Sequence, residues 1–235
     1  MASSLLAALG FTLSATLGQS SRGPSPSVGD SSSAKPATVS SNAFSIRPVL
    51  CYAPPLTSGS GQASSTRPLP TCAPSSELTA TNLGVKPDPS SANGFTSNSS
   101  VVRADPQFSG YPSTPLANDN PNDTVLLPAQ SSQQGNIRFV LGPAAITRSA
   151  VKSASAHLVN NQWTINITLT GEGSTQWDAL AQSQFHAIIG IDIGGKVVSA
   201  PIVQPSQTSF SSFDGQMQIS GSFNQKQAEA LAASL

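Results

Sequence analysis

Proline distribution is the feature that most restricts this chain. Sixteen of its nineteen prolines precede residue 130, and Pro143, Pro201 and Pro205 are the three that follow. Each proline removes a backbone donor and fixes φ, so a proline-dense stretch does not run through the interior of a helix or sheet. The same half carries long polar runs, such as Thr57–Ser65 and Ser90–Ser100, with apolar residues scattered between them. A segment of that kind buries too little apolar surface to offset the entropy lost on ordering. Residues 19–130 are therefore expected to be a Pro/Ser/Gly-rich stalk or long loop, irregular and partly disordered. The regular domain is expected at 131–235.

Charge narrows the function. Lys, Arg, Asp and Glu make up 9% of the chain and the formal net charge is zero, against roughly 25% charged residues in an ordinary soluble domain. No basic block offers the phosphate attraction on which nucleic-acid binding mostly depends, and no polybasic patch suits an anionic membrane. Leu5–Leu17 (LLAALGFTLSATL) has the length of a signal-peptide apolar stretch and is too short to span a bilayer. No Lys or Arg precedes it, so residues 1–18 read as a signal peptide or an apolar tail, and any membrane contact is expected there. Sparse charge and two cysteines favour export and an extracytoplasmic location.

Those cysteines, Cys51 and Cys72, lie in RPVLCYAPP and RPLPTCAPS. An even count in an exported chain suggests a disulfide. A zinc site is disfavoured, because two Cys with the distant His157 and His186 do not make a zinc spacing.

Beyond residue 135 the periodicity becomes regular. Ile137, Phe139 and Leu141 alternate along a first strand that Gly142-Pro143 ends. Ile146, Val151 and Ala154 stand at roughly helical spacing in ITRSAVKSASAHL, which predicts a short helix over 146–158. Trp163–Thr170 alternates strictly, Trp163, Ile165, Ile167 and Leu169 facing one way and Thr164, Asn166, Thr168 and Thr170 the other. Helix follows at 174–183, with Trp177, Leu180 and Ala181 as its buried stripe. Two strands, 187–193 and 196–203, flank Gly194-Gly195, which suits a primed hairpin turn. Pro201 cannot donate to a ladder, so the second strand is expected to be an edge or to end there. A strand at 216–220 precedes a last helix, capped by Asn224 with Gln227 completing a capping box. The expected fold class is α+β: a small mixed sheet in the order βαβαβββα, three helices on one face.

No catalytic signature is present. GxSxG and HExxH are absent, the few carboxylates form no acid/base pair, and His157 and His186 read as structural. Gly190–Lys196 matches GxxxxGK, but Val197 stands where magnesium needs Ser or Thr, and the segment is strand–turn–strand. Asn98, Asn122 and Asn166 begin N-x-[ST] sequons, to which no weight attaches. No cofactor is expected.

Four segments in order carry a family resemblance. RFVLGPAAITRSAVKSASA is similar to the strand–loop–helix opening of the SecD/SecDF extracytoplasmic head. NNQWTINITLTGEGSTQWDAL is similar to the head's central strand and following helix, IDIGGKVVSAP to its Asp-Gly hairpin with the Ser-Ala-Pro ending, and MQISGSFNQKQAEALAASL to its closing strand and helix. FSIRPVL and the cysteine loop resemble actinobacterial SecD more weakly. The resemblance implies contact with unfolded or translocating polypeptide and with Sec translocase subunits. It also implies a ferredoxin-like base and membrane spans that the sequence, ending at Leu235, does not include, so a proton-driven motor is not expected of this chain by itself. The leading expectation is an exported, non-enzymatic SecD-head-like domain, with Thr164, Asn166, Thr168 and Thr170 as polypeptide contacts. A structural or adhesive envelope protein reusing the fold is the alternative, and an unrecognised hydrolase the third reading.

Overall fold

The structure is a computed structural model that describes residues 44–56, 68–99, 101–130, 137–221 and 223–235. The apolar segment 5–17, the stretch 19–43 and the polar run from Thr57 to Ser65 lie outside the described residues. In chain order the strands are β1 (Phe44–Ala53), β2 (Lys86–Pro87), β3 (Phe95–Thr96), β4 (Val125–Pro128), β5 (Arg138–Leu141), β6 (Ile146–Thr147), β7 (Val151–Val159), β8 (Gln162–Leu169), β9 (Ile189–Ile193), β10 (Lys196–Ser199) and β11 (Gln216–Ser220). The helices are α1 (Ala80–Leu83), α2 (Gly171–Ser183) and α3 (Gln225–Ser234).

The larger sheet runs β10-β9-β1-β5-β4, with β6 beside β1. Its ladders are antiparallel. A bridge between Ala129 and Val197, with the Gln130 N–H donating to the Val197 carbonyl at 2.9 Å, brings β4 back onto β10 and curls the sheet toward a small barrel. Its interior holds Val49, Leu127, Phe139, Leu141, Ile188 and Val197. The smaller sheet runs β11-β8-β7, also antiparallel. Between the two sheets a second core gathers Phe44, Ile46, Ile165, Ile167, Trp177, Ile189, Ile191 and Met217 with α2 and α3. Each such fully buried side chain contributes about 1.5–3 kcal/mol.

Two sequence expectations change here. The expected helix over 146–158 is strand: a 3₁₀ turn at Arg148–Ala150 leads into β7. Ala154 and Ala156 pack on the core while Ser153, Ser155 and His157 face out, so the stretch has a period of two. Pairing with β8 overrides the high helix propensity of Ala and Lys. The turn closing this hairpin is Asn160-Asn161, both at positive φ (48° and 62°), as a primed turn requires. Consequently the order βαβαβββα does not hold, and the third helix is the four-residue α1 instead.

Second, residue 131 is no boundary of the fold. β1 lies between β9 and β5, and it belongs to the stretch that the prolines had suggested was irregular. Pro48 is tolerated mid-strand because it falls between the ladder to β6, which ends at Ile46, and the ladder to β5, which begins at Val49. Its carbonyl still accepts the Gly142 N–H at 3.0 Å. Residues 101–124 carry no strand, yet Val102, Phe108 and Tyr111 are buried. The Pro201 segment fits its expectation, since β10 ends at Ser199 and stands at the end of the strand order. The Pro201 carbonyl accepts from Ile189, and the Val203 N–H donates to Ala187.

Other elements match their sequence signals. Gly194 and Gly195 have φ of 63° and 75° in the β9–β10 turn. Asn224 and Gln227 form the reciprocal capping box of α3. Cys51 and Cys72 form a disulfide that closes a separation of 21 residues over Phe108, Leu126 and Val140.

Two outcomes are expected. A chain beginning at residue 131 lacks β1 and should show no cooperative thermal transition by circular dichroism, whereas 44–235 should melt cooperatively; cooperative melting of 131–235 would contradict this fold. Reduction of Cys51–Cys72 should lower the unfolding free energy by about 3 kcal/mol, seen as a lower urea midpoint, and both thiols should resist alkylation until reduced.

Candidate functional site

The smaller sheet presents the most unusual surface of the molecule. Its inner face is apolar: Ile165 and Ile167 on β8 with Met217 and Ile219 on β11, covered by α3. Register then places three polar residues from each strand on the outer face. Ser153, Ser155 and His157 of β7 pair with Thr168, Asn166 and Thr164 of β8, which pair in turn with Gln216, Gln218 and Ser220 of β11. None of these nine is Lys, Arg, Asp or Glu.

The side chains of this face are partly tied to one another. Gln218 Nε2 donates to Asn166 Oδ1 at 2.9 Å, and Thr168 Oγ1 donates to Gln216 Oε1 at 3.4 Å. Ser155 Oγ and His157 Nε2 are 2.8 Å apart. That pair sits in open water at alternate positions of one strand, and among the described residues no hydrogen bond orients the other imidazole nitrogen. It lacks the buried orienting group that makes a serine nucleophilic. His186, in contrast, stacks on Phe185 and shares a hydrogen bond with the Gln207 carbonyl at 2.8 Å, in a structural role. Among the described residues no three His, Cys, Asp or Glu side chains stand together as metal ligands.

Of the four expected contact residues, two occupy the exposed grid and two do not. Asn166, exposed, and Thr168, half-buried, are on it. Thr164 is buried, its hydroxyl donating to the His157 carbonyl at 3.3 Å. Thr170 lies past the strand end and caps α2, its Oγ1 accepting the Gly173 N–H at 3.0 Å. Gly173 is required there, since a Cβ would lie 2.6 Å from the Ala150 carbonyl oxygen.

Sequence reading missed the free edge of β7. This nine-residue strand ends the order β11-β8-β7, and its outer side has no strand partner among the described residues. A register shift between Val151 and Ser153 leaves exposed Lys152 as the extra residue of a bulge. Bulges and lysines are devices that keep an edge from pairing indiscriminately. At the far end Leu158 and Val159 are 56% and 42% exposed. The missed signal was the alternation Ser153/Ser155/His157 against Ala154/Ala156/Leu158, followed by Asn-Asn.

Comparison with known proteins fits this architecture. The family described as "SecDF, P1 head subdomain" matches residues 124–235, just under half of the chain. Residues 124–235 are therefore similar to the SecDF head subdomain. The protein translocase subunit SecD of Streptomyces coelicolor is 32% identical over 121 residues, which is 48% of this chain and 20% of that protein. A solved SecDF, described as a membrane component that enhances protein export, aligns at 23% identity over 40% of this chain and 41% of that one, with a TM-score of 0.36. SecDF from Thermus thermophilus, described as translocon-associated, aligns at 23% identity over 41% and 13%, with a TM-score of 0.32. Those superpositions are too loose to transfer geometry. The head match includes β7, β8 and the polar face, while β1, which completes the larger sheet, comes from outside the matched stretch. Among the described residues no helix is long and apolar enough to cross a membrane.

Replacing Thr170 by Ala should destabilise the fold by about 1 kcal/mol through loss of the α2 cap, measured by urea denaturation. An effect within error would return Thr170 to the list of surface residues.

Proposed function

We propose that this chain is an exported, non-enzymatic SecD-head-like part of the protein-export machinery, and that it contacts unfolded or translocating polypeptide through the outer edge of β7 and the adjoining polar face. The observation that carries this reading is a nine-residue strand with an open outer edge beside a surface free of formal charge. An extended client added to that edge is held by main-chain hydrogen bonds, which every sequence offers. The amide and hydroxyl groups of Asn166, Thr168, Gln216 and Gln218 add adaptable partners without demanding a charge pattern.

The head-family match supports a place in protein export, since the Streptomyces relative is named as a protein translocase subunit. Association with Sec translocase subunits is part of the same proposal. The disulfide supports an oxidising, extracytoplasmic compartment. Such a contact is weak, with a Kd on the order of micromolar or poorer, because ordering the client consumes much of the interaction energy. Without charge on the face, steering is small and binding is nearly independent of salt.

The test is titration of an unfolded exported protein into the isotope-labelled full chain. Amide signals of residues 152–159, Asn166 and Thr168 should shift, with little change between low and high salt, and a folded client should leave them still. Absence of any shift at millimolar client would sink the reading and favour a structural or adhesive envelope role.

A further inference from the structure

A second cluster lies in the larger sheet, away from the polar face. Arg47 on β1 is fully buried, and its five N–H groups are all assigned. Nε donates to Ser45 Oγ at 2.9 Å; Nη1 donates to the carbonyls of Asp123 (2.9 Å) and Gly142 (3.1 Å). Nη2 donates to Asp119 Oδ1 at 2.8 Å and to the Asn120 carbonyl at 3.1 Å. The guanidinium therefore holds the loop of residues 115–124 onto β1 by one carboxylate and two carbonyls.

Asp192 on β9 lies directly opposite Ser45 and is fully buried beside this pair. Every Arg47 donor is committed elsewhere, so among the described residues Asp192 has no cation of its own. Ser45 Oγ donates to its Oδ2 at 3.3 Å, and among the described residues Oδ1 meets no N–H or hydroxyl donor. Its remaining neighbour is the Asp119 carboxyl, and two carboxyls bond to each other only when one is protonated. Two ionised carboxylates against one guanidinium would leave an uncompensated buried charge. The charged groups facing Asp192 are Asp119 from the loop and Arg47 from β1. β10 contributes Val197 opposite it, while Lys196 and the Asp123 side chain are exposed.

We propose that Asp192 is a proton-binding site that latches the 115–124 loop to the larger sheet: protonated, it donates to Asp119 and the loop is closed; deprotonated, it repels Asp119 and the loop opens. Burial, followed by the contact with Asp119, pushes the Asp192 carboxyl up to about 8, and Arg47 and Ser45 oppose that only in part. The sign follows from linkage. A carboxyl raised in the closed form binds a proton there that it loses in the open form, so closure is fully favoured below the ordinary carboxylate range. It weakens as pH rises toward about 8 and changes no further above that. The loop's other ties, Ala144 N–H to the Pro121 carbonyl at 2.7 Å and Arg47 to Asn120 and Asp123, all end on backbone carbonyls.

The test uses the full chain and amide exchange corrected for the intrinsic pH dependence. Protection of Asn118, Asp119 and Asp123 should fall by up to about tenfold per unit between about pH 5 and 8, while protection in β8 falls less. In Asp192→Asn, whose amide can still donate to Asp119, the loop's protection should be independent of pH. Asp119→Asn should move the titration of Asp192 to lower pH. Should either variant fail to fold, the carboxyl carbon signal of Asp192 in the wild-type chain decides. Titration near pH 8 supports the latch, and titration in the ordinary carboxylate range overturns it. Equal pH dependence of loop protection in wild type and Asp192→Asn overturns it as well.

Discussion

Two buried guanidinium groups make the rest of this fold possible. The stretch between Val101 and Thr124 has no ladder and no long helix, yet it covers one side of the larger sheet. Its buried carbonyls need partners, because an unpaired polar group in the interior costs about 1–3 kcal/mol. Arg47 supplies Asn120, Asp123 and Gly142; Arg138 supplies Pro54, Phe108 and Tyr111. Six carbonyls from irregular backbone are thereby satisfied by side chains that start on two paired strands, β1 and β5. Asp105 does the complementary work for donors, accepting the Ala73 and Gln107 N–H groups. That ties the Cys72 loop to the same turn, which the disulfide also holds against β1.

This explains where sequence reading succeeded and where it did not. β8, β11, α2 and α3 follow local rules: strict alternation, a Thr170 cap and a capping box at Asn224, each a short-range pattern. The Gly194-Gly195 turn is equally local. β1 is not local. It carries Pro48, and its pairing partners β5 and β9 lie roughly ninety and one hundred and forty residues downstream, so nothing near it announces a central strand. Arg47 and Arg138 look like ordinary surface cations in the sequence; their burial is visible only once the carbonyls they serve are in place. β7 failed for another reason. Ala, Ser and Lys are compatible with either state, and the pairing to β8 decides between them.

Half of the expected contact set shared this difficulty. Alternation alone placed Thr164 with Asn166 and Thr168 on the outer face, and the register confirms that side. But exposure depends on the neighbours across the sheet, His157 and Ser220, which cover Thr164. Thr170 took part in the alternation while the chain was already turning into α2, where a hydroxyl at the cap is worth more than one on a surface.

The β7 edge raises the question of how an open strand avoids pairing with its own copies. Edge protection by burial or by heavy charge would also exclude a client. Here the protection is light and placed at one end: Lys152 sits in the bulge beside Val151, and the remaining positions toward His157 are small, alternating Ser and Ala. A second copy approaching antiparallel must bring its own Lys152 and the bulky hairpin end at Leu158–Asn161 into the same narrow strip. A single extended polypeptide carries neither the bulge nor the hairpin and meets a flat row of main-chain groups. On the proposed reading, this asymmetry of the strand, guarded at its start and plain along its length, is what would favour an unfolded segment over a folded copy of the same chain. That reading rests on shape more than on charge, since the nine outward residues paired across the three strands include no Lys, Arg, Asp or Glu.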